Sequence, residues 1–206
     1  MSSRRELPWD WNPDPLPDNV EVGNRSWVYS SFAFLHHRST VPAAVRIGDD
    51  SGIYEGTMFE TGPYGRVDIG EFCAVAGAIF ATNGLVSIGD FGFVGYDVVF
   101  ADSVAPVPAD TFALPSGSQI AIRENVWIGA RATILSGARI GEGAVIGALS
   151  VVDSEVPPFA IAAGNPARVL ASAQPAHRRG TQPTGSSSNP VGFHPGRAGF
   201  RPDPGA

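Results

Sequence analysis

The stretch IRENVWIGARATILSGARIGEGAVIGALSVVDSEV, residues 122–156, carries an aliphatic residue at every sixth position and a small or branched residue four positions after each. The aliphatic series is Ile122, Ile128, Ile134, Ile140, Ile146 and Val152, and the second series is Val126, Ala132, Ala138, Ala144, Ser150 and Val156. An α-helix cannot bury a period of six on one face. The pattern therefore predicts short strands separated by corners, with three hexads to a triangular coil and coils stacked about 4.8 Å apart.

The same period continues towards the N-terminus. A phrase of the form Val-x-Ile-Gly, with Val22 in place of isoleucine in the first copy, recurs and ends at Gly23, Gly48, Gly70 and Gly89. The inward residues that we assign to these coils are Val22, Val28 and Phe34; Ile47, Ile53 and Phe59; Ile69, Val75 and Ala81; and Ile88, Val94 and Phe100. The sequence thus predicts an all-β parallel solenoid of about six triangular coils. Extra residues follow the third hexad of a coil, so we expect loops at one corner, with a long loop after Phe100.

The chain divides by composition into three regions. Residues 1–19 are rich in proline and aromatic residues and are expected to cap the first coil. Residues 20–171 form the predicted solenoid with its corner loops and C-terminal cap. Residues 172–206 are dominated by Ala, Gln, Pro, Gly, Ser and Arg, and we expect a disordered tail there.

Composition restricts the function classes. A formal net charge of −6 and a pI near 5.1 argue against nucleic acid as a partner. The single cysteine, Cys73, allows no internal disulfide, and no apolar run is long enough to cross a bilayer. We therefore expect a cytoplasmic protein that uses neither nucleic acid nor membrane.

One position of the first hexad in each coil forms a stripe that we expect to face outwards. Its members are Trp27, Gly52, Ala74, Phe93, Trp127 and Val145. Three large aromatic residues on one face favour a subunit interface, although isolated exposed aromatic residues are also ordinary.

Three segments carry a family resemblance. Residues 125–135 (NVWIGARATIL), 140–148 (IGEGAVIGA) and 156–169 (VPPFAIAAGNPARV) resemble the C-terminal half of the maltose, galactoside and xenobiotic O-acetyltransferases. The resemblance implies left-handed coils, a homotrimer, and acetyl-CoA or another acyl-CoA bound between neighbouring subunits. It also implies cofactor contacts at Trp127, Ala130, Ala148 and Arg168.

The chain departs from that family at two positions. In these enzymes a histidine of a Thr-x-x-His-Pro phrase on the long loop is the general base. The corresponding residues here are Asp102-Ser103-Val104-Ala105-Pro106, so Ala105 replaces the histidine. Ser154 stands where relatives commonly carry a lysine that meets the cofactor phosphates.

Two residues are candidates for the missing base. His36 lies on the first corner loop beside His37, and Asp102 lies at the start of the long loop. The alternatives are that the histidines are solvated or at a subunit contact, and that the aspartate bonds its own backbone. Glu60, Tyr64 and Asn83 share the same corner and are candidates for binding the acceptor.

The four histidines do not match a metal centre. The γ-class carbonic anhydrases share this helix but need three histidines that converge on zinc, and two of the four here, His177 and His194, lie in the tail. We therefore expect no metal.

The resemblance favours acyl transfer from acyl-CoA to a hydroxyl or amine of a small-molecule acceptor. The alternative is a catalytically silent or repurposed trimer that binds a ligand or partner through its corner loops.

Overall fold

The computed structural model describes residue 7, residues 9–102 and residues 119–172 of the chain. Short strands in these residues form three sheets, here called A, B and C, which the chain visits in that order on every coil. Sheet A contains β1 (Val20–Val22), β3 (Val45–Ile47), β6 (Arg66–Ile69), β9 (Leu85–Ile88), β12 (Gln119–Ile122), β15 (Arg139–Ile140) and β18 (Glu155–Val156).

Sheet B contains β2 (Trp27–Val28), β4 (Gly52–Ile53), β7 (Ala74–Val75), β10 (Phe93–Val94), β13 (Trp127–Ile128), β16 (Val145–Ile146), β19 (Ala160–Gly164) and β20 (Ala167–Ser172). Sheet C contains β5 (Met58–Thr61), β8 (Ile79–Thr82), β11 (Val99–Ala101), β14 (Thr133–Leu135) and β17 (Val151–Val152). In the first coil the 3-10 helix η1 (Ser31–Phe34) takes the place of a sheet C strand. The described residues therefore build six coils and the first two faces of a seventh.

Neighbouring strands are parallel throughout the stack, with one exception. β20 turns back and pairs antiparallel with β19 at the end of sheet B. Ser172, the first residue of the predicted tail, is the last residue of this strand, and residues 173–206 lie outside the described part of the chain.

The hexad period is confirmed by the burial of its inward residues. Ile134 is fully buried, and Ile128, Ile140 and Ile146 are each 1% exposed. The second series is buried as well, because Ala132, Ala138, Ala144 and Ser150 have no exposed surface. Apolar burial of these columns drives the assembly of the stack.

Four phenylalanines form a stacked ladder inside the first four coils. The ring centroids of Phe34 and Phe59 are 4.8 Å apart, those of Phe59 and Phe80 are 5.0 Å apart, and those of Phe80 and Phe100 are 4.8 Å apart. The ring planes lie within 8° of parallel, so the repeat of the coils dictates this geometry.

The prediction that Ala81 faces the core is wrong. Phe80 pairs with Phe59 and Phe100 and is fully buried, whereas Ala81 is half-buried on the outer side of β8. The cause is a corner that is one residue short, because Phe80 follows Val75 by five positions instead of six. Strict counting in sixes passes over this deletion and shifts the third hexad by one residue.

The outer surfaces of the three sheets differ in character. Sheet A is charged, with Arg46 3.4 Å from Glu21 and 3.9 Å from Asp68 on the neighbouring strands. Sheet C exposes apolar side chains in part; these half-buried residues are Met58, Ile79, Val99, Leu135 and Val151.

The predicted stripe on sheet B is confirmed in register, since Trp27, Gly52, Ala74, Phe93, Trp127 and Val145 pair in succession. Gly52, however, is buried, so the prediction that it faces solvent is wrong. The Trp27 indole packs over it, because a Cβ at Gly52 would lie 2.7 Å from Trp27 Nε1. Trp27 also contacts Tyr54 edge to face at 5.0 Å. Of the three aromatic residues in the stripe, Phe93 and Trp127 remain the exposed pair, 5.8 Å apart.

A half-buried histidine, His37, fixes the first corner loop. His37 Nε2 lies 3.0 Å from Asn19 Oδ1, and His37 Nδ1 lies 2.7 Å from Thr61 Oγ1. The Asn19 amide donates to the carbonyls of Ser39 and Val41, so its oxygen faces the ring and His37 carries its proton on Nε2. Burial lowers the pKa of His37 below its ordinary value, which favours this neutral ring.

None of the helices among the described residues combines the length and the apolar character that crossing a bilayer would require.

We expect Phe80→Ala to lower the free energy of unfolding by about 3 to 5 kcal/mol, because it removes the ring between Phe59 and Phe100. The control Ala81→Ser changes a side chain on the outer surface and is expected to cost less than about 0.5 kcal/mol. Urea unfolding monitored by circular dichroism measures both. Equal losses in the two variants would show that the register is wrong.

We expect His37 to make stability fall as the pH falls below about 6.5, the ordinary histidine value. The native pKa is depressed, so the unfolded chain takes up a proton that the native chain resists, and acid favours unfolding. The stability advantage is present above the unfolded pKa and is lost towards the lower native pKa. His37→Gln should flatten this part of the pH profile of unfolding, whereas His36→Gln, at an exposed neighbour, should keep it. An unchanged profile in His37→Gln would contradict the assignment.

Candidate functional site

The residues predicted to act in function lie along two edges of sheet C. At the B–C edge the chain turns from sheet B to sheet C, and at the C–A edge it turns from sheet C to sheet A. Strands of sheet C contain two to four residues, so the two edges are about 10 to 13 Å apart at their widest.

The B–C edge of the last coils is built from small residues in close contact. A Cβ at Gly129 would lie 2.6 Å from the Ala148 nitrogen, and a Cβ at Gly95 would lie 2.9 Å from the Ala130 nitrogen. Glycine is required at these two positions because the neighbouring coil leaves no room for a side chain. Ala130 and Ala148 are exposed, and neither backbone N–H has an acceptor among the described residues. The edge therefore offers a row of donors to an extended ligand.

The other two predicted cofactor residues lie near this edge. Trp127 precedes Ala130 on the outer surface of sheet B and is 57% exposed. Arg168 pairs with Ala163 in the terminal hairpin. Ala163 in turn packs against Gly147, the residue before Ala148, because a Cβ at Gly147 would lie 2.8 Å from the Ala163 Cβ. The Arg168 guanidinium donates to its neighbour's carbonyl, Ala167 O, at 2.8 Å and is otherwise exposed. The structure thus brings Trp127, Ala130, Ala148 and Arg168 to the C-terminal part of one face and its edge.

The C–A edge brings His36 and Glu60 together. His36 Nδ1 lies 3.3 Å from Glu60 Oε1, and both side chains are about half exposed. They come from consecutive coils, since His36 follows η1 and Glu60 belongs to β5. The sequence predicts a role for both residues but not their contact; their shared corner on adjacent coils is the signal that could have revealed it.

Asn83, Tyr64 and Asp102 form a second cluster on the C–A edge. Asn83 Oδ1 accepts a hydrogen bond from Tyr64 N at 2.9 Å. Asp102 is buried, and its Oδ2 accepts from Thr82 Oγ1 and from the N–H groups of Asn83 and Gly84 at 2.5 to 2.9 Å. The carboxylate therefore anchors the turn at residues 82–84. Asp102 Oδ1 has no hydrogen-bond partner within the described ranges.

Two further sequence-based predictions concern the positions at which the chain departs from the family, Ala105 and Ser154. Ala105, expected in place of the family histidine, lies outside the described residues. Ser154, expected where relatives carry a lysine, is exposed on the corner before β18.

Neither a metal centre nor a thiol nucleophile is apparent at either edge. In the described part of the chain no three His, Cys, Asp or Glu side chains are grouped as metal ligands would be. Cys73 is 3% exposed, and burial raises the pKa of its thiol. A buried, protonated thiol is a poor nucleophile.

Comparison with known proteins adds a family assignment to this geometry. Residues 120–154 match the family model described as bacterial transferase hexapeptide (six repeats). A chloramphenicol acetyltransferase of Escherichia coli is 33% identical over 160 residues, which cover 74% of this chain and 67% of the relative. A chloramphenicol acetyltransferase of Agrobacterium fabrum is 35% identical over 130 residues, which cover 58% of this chain and 62% of the relative. The chain spans about two thirds of the length of these curated relatives.

A solved structure supports the fold. A variant of AntD, an N-acyltransferase from Bacillus cereus in complex with dTDP-4-amino-4,6-dideoxyglucose and coenzyme A, superposes with a TM-score of 0.60. The match covers 77% of this chain and 86% of AntD at 19% identity, so it is a likeness of fold. The coils are those of the left-handed parallel β-helix that the family resemblance implies. From its hexads, its stacked coils and these relatives, the chain belongs to the hexapeptide-repeat acyltransferase family.

Proposed function

We propose that this protein transfers an acyl group, most simply acetyl, from acyl-CoA to a hydroxyl or amine of a small-molecule acceptor. The observation that carries the proposal is the B–C edge, where the exposed N–H groups of Ala130 and Ala148 have no acceptor among the described residues. Amide carbonyls along an extended acyl-CoA arm would satisfy these donors without any side chain. Arg168 at the end of the edge supplies a guanidinium for phosphate.

The active form is proposed to be a homotrimer with its sites between subunits. In one chain, sheet C separates the C–A edge from the B–C edge, so the His36–Glu60 pair and the proposed acyl-CoA edge do not converge. A site that uses both needs the B–C edge of one subunit against the C–A edge of the next, with the acyl-CoA arm extended along the four coil spacings, about 19 Å, between coil one and coil five. The apolar outer surfaces of sheets B and C, in contrast to the charged sheet A, support such an assembly.

The general base is proposed to be His36, with Glu60 holding its orientation. When His36 Nδ1–H donates to Glu60 Oε1, the lone pair of Nε2 is free to take the acceptor's proton. The acceptor oxygen or nitrogen then bonds to the thioester carbonyl carbon, the C–S bond breaks, and the proton passes from Nε2 to the departing thiolate.

Asp102 is less suited to this role because three hydrogen bonds already engage its Oδ2. Asn83 is proposed to orient the acceptor, because its oxygen is held by Tyr64 N and its amide NH₂ remains available to donate.

Acyl-CoA binding tests the proposed edge directly. We expect wild-type protein to bind acetyl-CoA in isothermal titration calorimetry, and Ala148→Leu to weaken the affinity at least about tenfold by placing bulk over the free N–H groups. Ala148 is exposed, so the melting temperature should not change. The matched control Ala121→Leu, on the outer surface of sheet A, should bind as wild type does. Absence of binding in wild-type protein would favour the silent, ligand-binding alternative.

Kinetics of acyl transfer test the base and the shared site together. We expect His36→Gln to slow thiol release from acetyl-CoA by about 10² to 10⁴-fold, with Glu60→Gln less affected. Mixing denatured His36→Gln and Ala148→Leu subunits and refolding them should restore about a quarter of the sites if each site uses two subunits. No recovery would contradict the shared site.

Two further variants locate the base independently. Full acyl-transfer activity in His36→Gln, together with loss of activity in Asp102→Asn, would identify Asp102 as the base. A large gain of activity in Ala105→His, together with unchanged activity in His36→Gln, would show that His36 does not act as the base.

A further inference from the structure

A pocket of about 310 Å³ lies at the B–C edge of the first two coils. Its walls include the side chains of Trp11, Tyr29, Phe32, Tyr54 and Met58. Trp11 comes from the segment before the first coil and contacts Phe32, with ring centroids 5.3 Å apart. The N-terminal segment and the corner of coil two thus meet in one aromatic cavity.

The serine and threonine hydroxyls at the pocket are occupied. Ser30 Oγ donates to Asp10 Oδ1 at 2.7 Å, and Thr57 Oγ1 donates to the Val75 carbonyl at 3.4 Å. Glu55 is the one charged residue among the described residues that line the pocket. Its carboxylate is exposed and makes neither an ion pair nor a hydrogen bond with any described residue.

These groups discriminate between classes of ligand. An anion would meet a carboxylate and, among the described residues, no cationic lining residue. An apolar ligand would pack against the aromatic walls. A positively charged group would be attracted both to the faces of the aromatic rings and to the Glu55 carboxylate. The volume lies at the lower end of small-molecule pockets.

We propose that this pocket binds a small organic cation, in which an ammonium group is carried on an apolar or aromatic body. The site is distinct from the proposed acyl-CoA edge, because Ala130 and Ala148 belong to coils five and six. Three coil spacings, about 14 Å, separate coil two from coil five along the axis. Binding in the pocket therefore does not depend on acyl-CoA or on acyl transfer.

Three probes that share a benzyl group and differ in charge test the proposal on the full-length protein. Benzyltrimethylammonium, benzyl alcohol and phenylacetate are titrated by ligand-observed NMR in the absence of acyl-CoA. We expect benzyltrimethylammonium to bind about tenfold more tightly than benzyl alcohol and phenylacetate to bind most weakly. Phenylacetate equal to or tighter than the cation would overturn the proposal.

Matched variants locate the binding. Glu55→Gln should weaken the cation about three- to tenfold and leave benzyl alcohol unchanged, whereas the control Glu71→Gln, at an exposed corner outside the pocket, should change neither. Trp11→Ala should weaken both the cation and the alcohol about fivefold or more, and the control Phe72→Ala should not.

Two other outcomes reject the cation site, and a third separates it from the proposed acyl transfer. Equal effects of Glu55→Gln and Glu71→Gln would mean that the cation responds to net charge. No binding of any probe, together with dissociation of the oligomer in Trp11→Ala, would mean that a second subunit fills the pocket. Absence of acetyl-CoA binding to the wild-type protein, with cation binding intact, would reject the proposed acyl transfer and would not contradict the cation site.

Discussion

Each inward side chain of this protein must stack on its equivalents in the coils above and below, at the spacing of parallel strands. That constraint accounts for columns of one residue type, such as the phenylalanines from Phe34 to Phe100 and the sheet A isoleucines Ile47, Ile69, Ile88, Ile122 and Ile140. It also confines variation in length to the corners, because an extra residue inside a strand would move the whole column out of register. The groups that could bind a ligand or take part in catalysis therefore lie at the edges.

Displacement to the edges separates the functional groups within a chain. In coils five and six the B–C edge supplies the backbone N–H groups of Ala130 and Ala148, whereas the C–A edge supplies titratable and amide side chains. In the proposed trimer, association of subunits would bring the two edges together, and the charge difference between sheet A and the other two sheets would then bear on activity.

Most of the fold could be predicted from the sequence, because the period of six is imposed by burial and repeats without interruption from Ile122 to Val152. The period failed at Phe80, where a short corner changes the count but not the packing. At Gly52 the register holds and only the predicted solvent exposure failed, because the Trp27 indole covers the glycine. The His36–Glu60 contact and the pocket at Trp11 depend on side-chain directions in corners and in the N-terminal segment. A hexad pattern contains no information on either.

The reversal of the chain at β20 has a consequence for the length of the rod. A stack of parallel coils has no intrinsic end, since its last strand presents unpaired N–H and C=O groups to any further strand. On sheet B, β20 occupies those groups in the opposite direction, as far as Ser172. An antiparallel strand cannot serve as the template for another coil in the same sense. On sheet B the hairpin thus opposes the addition of a further parallel coil and, with it, head-to-tail fibre growth.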